Sequence, residues 1–544
     1  MREQDNRSQL QKVLSVVLGE QAIFTGALVL AFFLVALVGI VNHEMWQDEL
    51  QAWLIARDST TLNNLFYNLR YEGHPILWYL VLYAITRFTH DPLVMQLYHL
   101  LLATAVVYII ARFSPFTKIT KLLFCFSYFP LYEYALISRS YALGLLLIFS
   151  CCALFPRRTE RYIPISILLL LLANTSAYGL IIATALALTI GLDHILDRSS
   201  LAIANRKTFI TGAGVFIAGA AIAVMQIIPP ADSPHLTEMA ERRTKTLVRF
   251  YQLPVTLITK SYLPLPKVDT LQFWNTNLIG DTVIATEQVI IEGQQISVIL
   301  SITLLIAFLT LFSRRPLVLL LYLAATLAIL LFAHLLYFGW LHHHGHLFII
   351  LIVCLWLSHY YSPVNLSLSL INRFAETIEK RKGILITILL LIHVTAGGFA
   401  YSMDLVAPFS ESKETATFIR NQFTNNHLLV GSYASFPISG YLDRQIYYPY
   451  TNSFGSFIIR DSRRKVPDFN LFFDQLRDLA RNHNEDILLV LHHELRIYKG
   501  GASVPLSFEW LNEEEQISIS EVARFTNSIV RYEKYYLYLI KRKH

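Results

Sequence analysis

Apolar runs without a single Asp, Glu, Lys or Arg recur through the first 400 residues, at 23–41, 165–173, 299–312, 317–332, 347–357 and 384–392. A helix rises ~1.5 Å per residue and a bilayer core is ~30 Å thick, so about 20 apolar residues suffice to cross it. The pattern predicts eleven spanning helices, near 22–42, 92–112, 121–137, 141–156, 162–176, 178–193, 208–228, 296–313, 316–336, 346–362 and 384–401. The first is expected as an uncleaved helix, because WQDEL after it is not a small-residue cleavage site. Segment 75–88 (PILWYLVLYAITRF) is apolar but short, and is expected to lie half-inserted on the outer face.

Beyond Tyr401 the pattern changes. Residues 403–544 hold 17 acidic and 17 basic side chains, and short alternating stretches replace the long apolar ones. HLLVGSYA, QIYYPY, DILLVLH and KYYLYLI read as strands, DFNLFFDQLRDLARNH as an amphipathic helix, and Ser410 as the cap of a helix over ESKETATFIRNQF. The fold expected is an all-α polytopic membrane protein with a C-terminal soluble α/β domain. The membrane domain spans 1–401, with outer loops at 42–74 and 229–295, and the soluble domain spans 402–544.

Composition sharpens this picture. Of 544 residues, 54% are apolar and 15% charged, against roughly 25% charged in an ordinary soluble chain. This excludes a disordered chain, a soluble enzyme and a secreted disulfide scaffold. Cys125, Cys151, Cys152 and Cys354 all fall in apolar segments and read as buried thiols. A net charge of +6, spread along the chain, gives no argument for nucleic acid. Arg112/Lys118/Lys121, Arg157/Arg158/Arg161, Arg198/Arg206/Lys207, Arg314/Arg315 and Arg373/Lys380/Arg381/Lys382 form five basic clusters, fifteen cations in all. The short loops between them hold one cation, Arg139. Because Lys and Arg are retained inside, the N-terminus is expected in the cytoplasm. The 42–74 loop, the 229–295 loop (with its PPADSPHLTEMAERRTK stretch) and the C-terminal domain are then expected outside.

Candidate chemistry collects on that outer side. Asp48 and Glu49 follow the first helix within MWQDELQAWLIARD, where Trp46, Leu50, Trp53 and Leu54 form a helical stripe suited to the membrane interface. The pair reads either as ordinary surface acids or as a carboxylate at a cavity mouth, where partial desolvation raises basicity enough to take a proton from a hydroxyl. Arg139, in the run Ser138, Arg139, Ser140, Tyr141, reads as a snorkelling side chain or, with helix-start amides, as an anion site. In WLHHHGH, His343 and His346 are three apart and can face one cavity as donors to a phosphate or sugar. His342 and His344 read as structural, and the metalloprotease spacing H-E-x-x-H is absent. His492, His493 and Glu494 read as surface. No Walker loop, G-x-G-x-x-G or G-x-S-x-G occurs.

The order of these features resembles the type-C fold (GT-C) glycosyltransferases, the multi-spanning superfamily that includes protein O-mannosyltransferases and the aminoarabinose transferase of lipid A. The matching pieces are Asp48 with Glu49, His74-Pro75-Ile76-Leu77 with Trp78 and Tyr79, the helix after Asp91-Pro92, and Ser138-Arg139-Ser140-Tyr141. They cover roughly the first 190 residues; later the His-Gly-His segment matches loosely. The resemblance implies transfer of a sugar from a polyprenyl-phosphate carrier to a glycan, lipid or protein acceptor on the outer face of a membrane, such as a bacterial inner membrane. It also implies Asp48 as general base with Glu49 as its acidic neighbour, and His74 and Arg139 as carrier-phosphate contacts beside Tyr141. The segment at His74 departs from relatives in lacking a second proline and a preceding lysine. No cofactor is required by this chemistry; a divalent cation at Asp48 and Glu49 is compatible with it. The alternative is a transporter or lipid-carrier flippase, which calls for ionisable residues within spanning helices, such as Glu133.

Overall fold

A computed structural model of the chain describes residues 19–196, 203–233, 253–281, 283–285, 290–423, 427–461, 469–482, 485–499, 502–505, 510–512 and 517–542. Most of the PPADSPHLTEMAERRTK stretch, and Arg198, lie outside the described residues. The first half comprises α1 (Glu20–Asn42), α2 (Gln47–Asp58), α3 (Leu62–Leu69), α4 (Leu77–Thr86), α5 (Leu93–Phe113), α6 (Lys118–Cys125), α7 (Ser140–Leu154), α8 (Tyr162–Ala173), α9 (Ala177–Leu196) and α10 (Ile203–Ile227). Then follow α11 (Leu253–Tyr262), a short hairpin of β1 (Val283–Ala285) and β2 (Ile290–Glu292), α12 (Gly293–Phe312), α13 (Pro316–Leu335), α14 (Leu341–Leu357) and α15 (Ser369–Val406).

Among the described residues, nine helices are long and apolar enough to cross a membrane, so the chain is a multi-pass integral membrane protein. Nine of the eleven expected spans correspond to these helices; two do not. The expected span 162–176 is α8, twelve residues or roughly 18 Å, too short to cross alone. The expected span 121–137 breaks into α6 and a wide π-helical segment, Tyr128–Leu136, across an extended Ser127. Pro130 in that segment has no N–H and its ring obstructs a regular α turn. The π segment is nevertheless wholly buried. A further difference concerns the histidine run: the expected span 346–362 begins earlier, at Leu341, so His342, His343, His344 and His346 lie in the first turns of α14.

In the C-terminal domain, α16 (Ser412–Gln422) precedes β3 (Leu428–Gly431), α17 (Pro437–Leu442), β4 (Ile446–Tyr448), β5 (Ser453–Gly455) and α18 (Phe469–Asn482). Strands β6 (Ile487–Leu491), β7 (Arg496–Lys499), β8 (Ala502–Pro505), β9 (Trp510–Asn512), β10 (Ile517–Phe525) and β11 (Tyr535–Arg542) complete it. The main sheet has seven strands in the order β5-β4-β3-β6-β11-β10-β9, with β3 parallel to β4 and β6 and the remaining pairs antiparallel. The four expected strands are β3, β4, β6 and β11, and the amphipathic helix is α18. Ser410 Oγ accepts the Ser412 N–H at 3.1 Å at the start of α16.

Side chains alternate across this sheet with the period of two that a strand imposes. Leu428, Val430, Ile487, Leu489 and Tyr538 pack with Phe472 and Leu476 of α18. Leu429, Leu488, Val490 and Leu537 point the other way, into a core shared with Leu50, Trp53 and Leu54 of α2 and Trp78 and Leu82 of α4. The C-terminal domain thus shares a core with the membrane domain: α2 and α4 pack on one face of its sheet. That corrects the expectation of an interfacial stripe. Trp46, Leu50, Trp53 and Leu54 are each no more than 1% exposed, covered by protein rather than lipid. Gly440 of α17 allows this approach, since a Cβ there would lie 2.8 Å from Leu50 Cδ2. Hydrogen bonds from Met45 N–H to Tyr441 Oη (2.9 Å) and from Gln47 N–H to Glu533 Oε1 (3.1 Å) close the joint.

Candidate functional site

The site stands on a buried ionic foundation. His43, just past the end of α1, places Nδ1 2.7 Å from Asp404 Oδ2 of α15 and Nε2 3.1 Å from Glu49 Oε2 of α2. Carboxylates on both sides make the ring a double donor. Burial works against its charge, but Asp404 and then Glu49 outweigh burial and raise its pKa to about 10. Glu49 Oε1 accepts the Ser138 N–H at 2.5 Å, and Oε2 also accepts the Trp46 N–H at 3.2 Å. Glu49 is fully buried, so it does not stand beside Asp48 as a second acid of the cavity. It is a positioning residue that ties the start of α2 to the turn before α7. With its oxygens committed in this way, Asp48 and Glu49 are not arranged as a two-carboxylate metal ligand.

What Glu49 positions is the pair on the opposite side of the helix start. Asp48 forms an ion pair with Arg139 across 91 residues of sequence, and both side chains keep some access to solvent. His99 fixes the Arg139 backbone: its Nδ1 donates to Ala135 O (3.1 Å) and its Nε2 accepts the Arg139 N–H (3.3 Å). The guanidinium lies 5.5 Å from the Tyr141 ring centroid. Burial opposes the Arg139 charge, while Tyr141 and Asp48 hold its pKa above the ordinary value. His74, half-buried after the turn at Gly73 (φ +65°), lies in the same field. Burial first, then Arg139, presses its pKa to about 3, with Asp48 opposing and Arg460 adding to the fall. It is therefore a neutral imidazole at physiological pH.

A ring of aromatic side chains continues the site inward. Tyr141 packs against His342 (5.5 Å between centroids), His343 (5.9 Å) and His346 (5.3 Å). Tyr178 stacks on His346 at 4.9 Å, and Trp274 lies nearly parallel to His342 at 5.9 Å. His343 and His346 do face one side with Tyr141 and Tyr178, but each has a local task. His343 Nδ1 accepts the Trp340 N–H (2.9 Å), and His346 Nδ1 donates to His343 O (3.0 Å). His344 donates from Nε2 to Phe338 O at 2.8 Å. The buried polar atoms with no hydrogen-bond partner among the described residues include Tyr141 Oη, Tyr178 Oη and His342 Nε2. His342, expected to be structural, thus has a buried ring nitrogen without a hydrogen-bond partner beside Tyr141. Among the described residues, no group of three His, Cys, Asp or Glu is arranged to hold a metal ion.

The sequence matches no protein-family model, and no curated protein matches it. Asp48, His74, Arg139 and Tyr141 come together, and His343 and His346 join them through Tyr141. Glu133, the intramembrane acid, is buried in the π segment and accepts hydrogen bonds from Tyr128 Oη (2.9 Å) and Trp274 Nε1 (3.1 Å).

Sequence reasoning missed the contribution of the C-terminal domain. Tyr532 feels Asp48, Glu533, Tyr337 and Arg139, and burial pushes its hydroxyl far above the ordinary range. Glu533 accepts from the Gln47 N–H, from Ser410 Oγ (2.8 Å) and from Tyr535 Oη (3.0 Å). Burial raises its pKa to about 7 despite these bonds. Nothing in the local sequence around YEKYY distinguishes these two from surface residues. His492 is likewise not a plain surface residue: it is half-buried, with Nδ1 3.0 Å from Ser432 Oγ.

Proposed function

We propose that the chain is a membrane glycosyltransferase of the type-C kind, moving a sugar from a polyprenyl-phosphate carrier to an acceptor hydroxyl. The observation that supports this best is the Asp48–Arg139 ion pair, set beside neutral His74 and backed by the buried rings of Tyr141, Tyr178 and His342. An arriving carrier phosphate competes for the Arg139 guanidinium, which suits a phosphate in charge and fork geometry. Asp48 is then released from its partner to act as base. The acceptor O–H gives its proton to Asp48 while its oxygen bonds to the anomeric carbon. The bond from that carbon to the phosphate oxygen breaks, and the carrier phosphate leaves with the electron pair, inverting the centre. Arg139, and His74 as a neutral donor, stabilise the charge growing on the leaving phosphate in a water-poor site. Aromatic rings with spare hydroxyls suit a sugar, which presents C–H faces and O–H edges.

The basic residues support a site on the extracytoplasmic face. Arg158 with Asp193, Lys118 with Glu20, and Arg314 and Arg315 with Glu379 pair at helix ends away from Asp48, where the cytoplasm is expected. A flippase or transporter reading finds less support, because Glu133 is fully buried and holds two donors on Oε1.

Incubating the purified protein with a panel of polyprenyl-phosphate sugars and measuring release of carrier phosphate tests the proposal. Asp48→Asn is expected to lose ~100-fold or more in turnover with donor binding retained, and Arg139→Ala to raise the donor KM. Full activity of folded Asp48→Asn, or no release from any donor, overturns it.

A further inference from the structure

Arg460 belongs to the C-terminal domain, yet its surroundings are those of the membrane-domain site. Ile458, two residues earlier, is pinned to α2 by both ends of the Gln51 amide. The Ile458 N–H donates to Gln51 Oε1 at 3.1 Å, and Gln51 Nε2 donates to Ile458 O at 2.6 Å. The same Nε2 donates to Glu72 Oε1 at 3.0 Å. Gln51 stands one turn after Asp48 on α2, and Glu72 stands two residues before His74. The chain at 458–460 is therefore held at the rim formed by Asp48, Glu72 and His74. The charge of Arg460 is sustained first by Glu72, against burial, with Asp48, Tyr79 and Tyr337 adding. Its field reaches His74, Tyr79 and Tyr337.

Half-buried as it is, Arg460 forms no ion pair or side-chain hydrogen bond among the described residues. A guanidinium carries five donors, and those of Arg460 are not among the buried polar atoms, so they keep access to an arriving ligand. Two guanidiniums from different domains, Arg139 paired to Asp48 and Arg460 uncommitted, thus both act on His74.

We propose that Arg460 is the second cation of the donor site, so that a polyprenyl phosphate is clamped between Arg139 of the membrane domain and Arg460 of the C-terminal domain. The inference rests on the donor class proposed above and adds that the C-terminal domain is part of the donor site. The neutral His74 in the field of both cations then serves as a hydrogen-bond donor rather than as a third charge.

The test uses the full chain and polyprenyl phosphate without sugar, with polyprenol, inorganic phosphate and phosphatidylglycerol as comparison ligands. Arg460→Ala and Arg139→Ala are each expected to weaken polyprenyl-phosphate binding by at least about tenfold, which is ~1.4 kcal/mol, while leaving polyprenol binding unchanged. Arg460→Lys is expected to recover part of the loss. In the unmodified protein, polyprenyl phosphate should protect Arg460 from phenylglyoxal, read by peptide mass spectrometry, which keeps the test valid if Arg460→Ala misfolds. Tight binding by Arg460→Ala alongside weak binding by Arg139→Ala overturns the Arg460 assignment and leaves the donor class standing. Equal protection by phosphatidylglycerol makes Arg460 a headgroup anchor and overturns the clamp. Protection by inorganic phosphate alone overturns it as well. Failure of the unmodified protein to distinguish polyprenyl phosphate from polyprenol overturns both the clamp and the donor class.

Discussion

Glu49→Gln separates positioning from chemistry at the heart of the site. The substitution keeps shape and one carbonyl acceptor but removes the charge facing His43 at 3.1 Å and weakens the bonds from Ser138 N–H and Trp46 N–H. The rise of the His43 pKa from 6.5 to about 10 corresponds to roughly 5 kcal/mol at 1.36 kcal/mol per tenfold in proton affinity. Asp404 and Glu49 together produce that rise against burial; an opposite charge in contact typically changes proton affinity about ten- to a thousandfold, so losing Glu49 costs about 2 kcal/mol. Replacing charge-assisted by neutral hydrogen bonds at Ser138 and Trp46 adds about 1 kcal/mol. The expected loss is about 3 kcal/mol, or roughly 3 °C in Tm if a chain of this length unfolds as one unit. The pH dependence has a definite sign. Because the folded-state pKa is raised, the stabilisation is complete below pH 6.5 and is lost as pH rises through about 10. In Glu49→Gln that alkaline decline should begin at lower pH, since only Asp404 still holds the proton on His43. Denaturation followed by tryptophan fluorescence in detergent between pH 6 and 10.5, with turnover measured on the same samples, reads both quantities. Unchanged stability and an unchanged alkaline decline, combined with abolished turnover, would refute the positioning role and put Glu49 in contact with substrate.

Two further perturbations probe the framework. Burial raises Glu533 from 4.5 to about 7, so the proton it keeps stabilises the fold fully below pH 4.5 and the benefit fades as pH rises to 7. Glu533→Gln should flatten the Tm profile in that window by up to roughly 3 kcal/mol, measured by the same fluorescence assay; an unaltered slope removes Glu533 from the joint between the domains. At Gly345 in α14, an added Cβ would lie 2.5 Å from the Phe129 ring and from Tyr134 Oη. Gly345→Ala should cost about 1–3 kcal/mol by overpacking and disturb the Tyr134–His342 hydrogen bond of 2.7 Å, seen as a lower Tm with a raised donor KM.

The membrane class, most of the spanning helices and the strand-and-helix character of the tail were all legible in the chain, because each rests on local signals. Hydrophobic length selects a spanning helix, charge bias orients it, and a lone Arg in a loop poor in cations stands out. The break at Tyr128–Leu136 was half legible, in Pro130 and Glu133; how it is accommodated was not, since a buried π segment depends on close partners such as Gly397, where a Cβ would come within 3.0 Å of the Tyr128 backbone. The destination of the Trp46/Leu50/Trp53/Leu54 stripe was not legible either. A lipid interface and a protein core reward the same residues, and only the sheet of the C-terminal domain decided between them. Likewise an Asp-Glu pair reads alike for both members until the fold turns one inward. Glu49 met His43 and the Ser138 amide, and Asp48 was left facing Arg139. Arg460 and Glu533 joined the site from about 400 residues or more away because packing brought them there. Local sequence determines which elements form. Which charges share a field is a matter of distance, and only the tertiary structure set those distances.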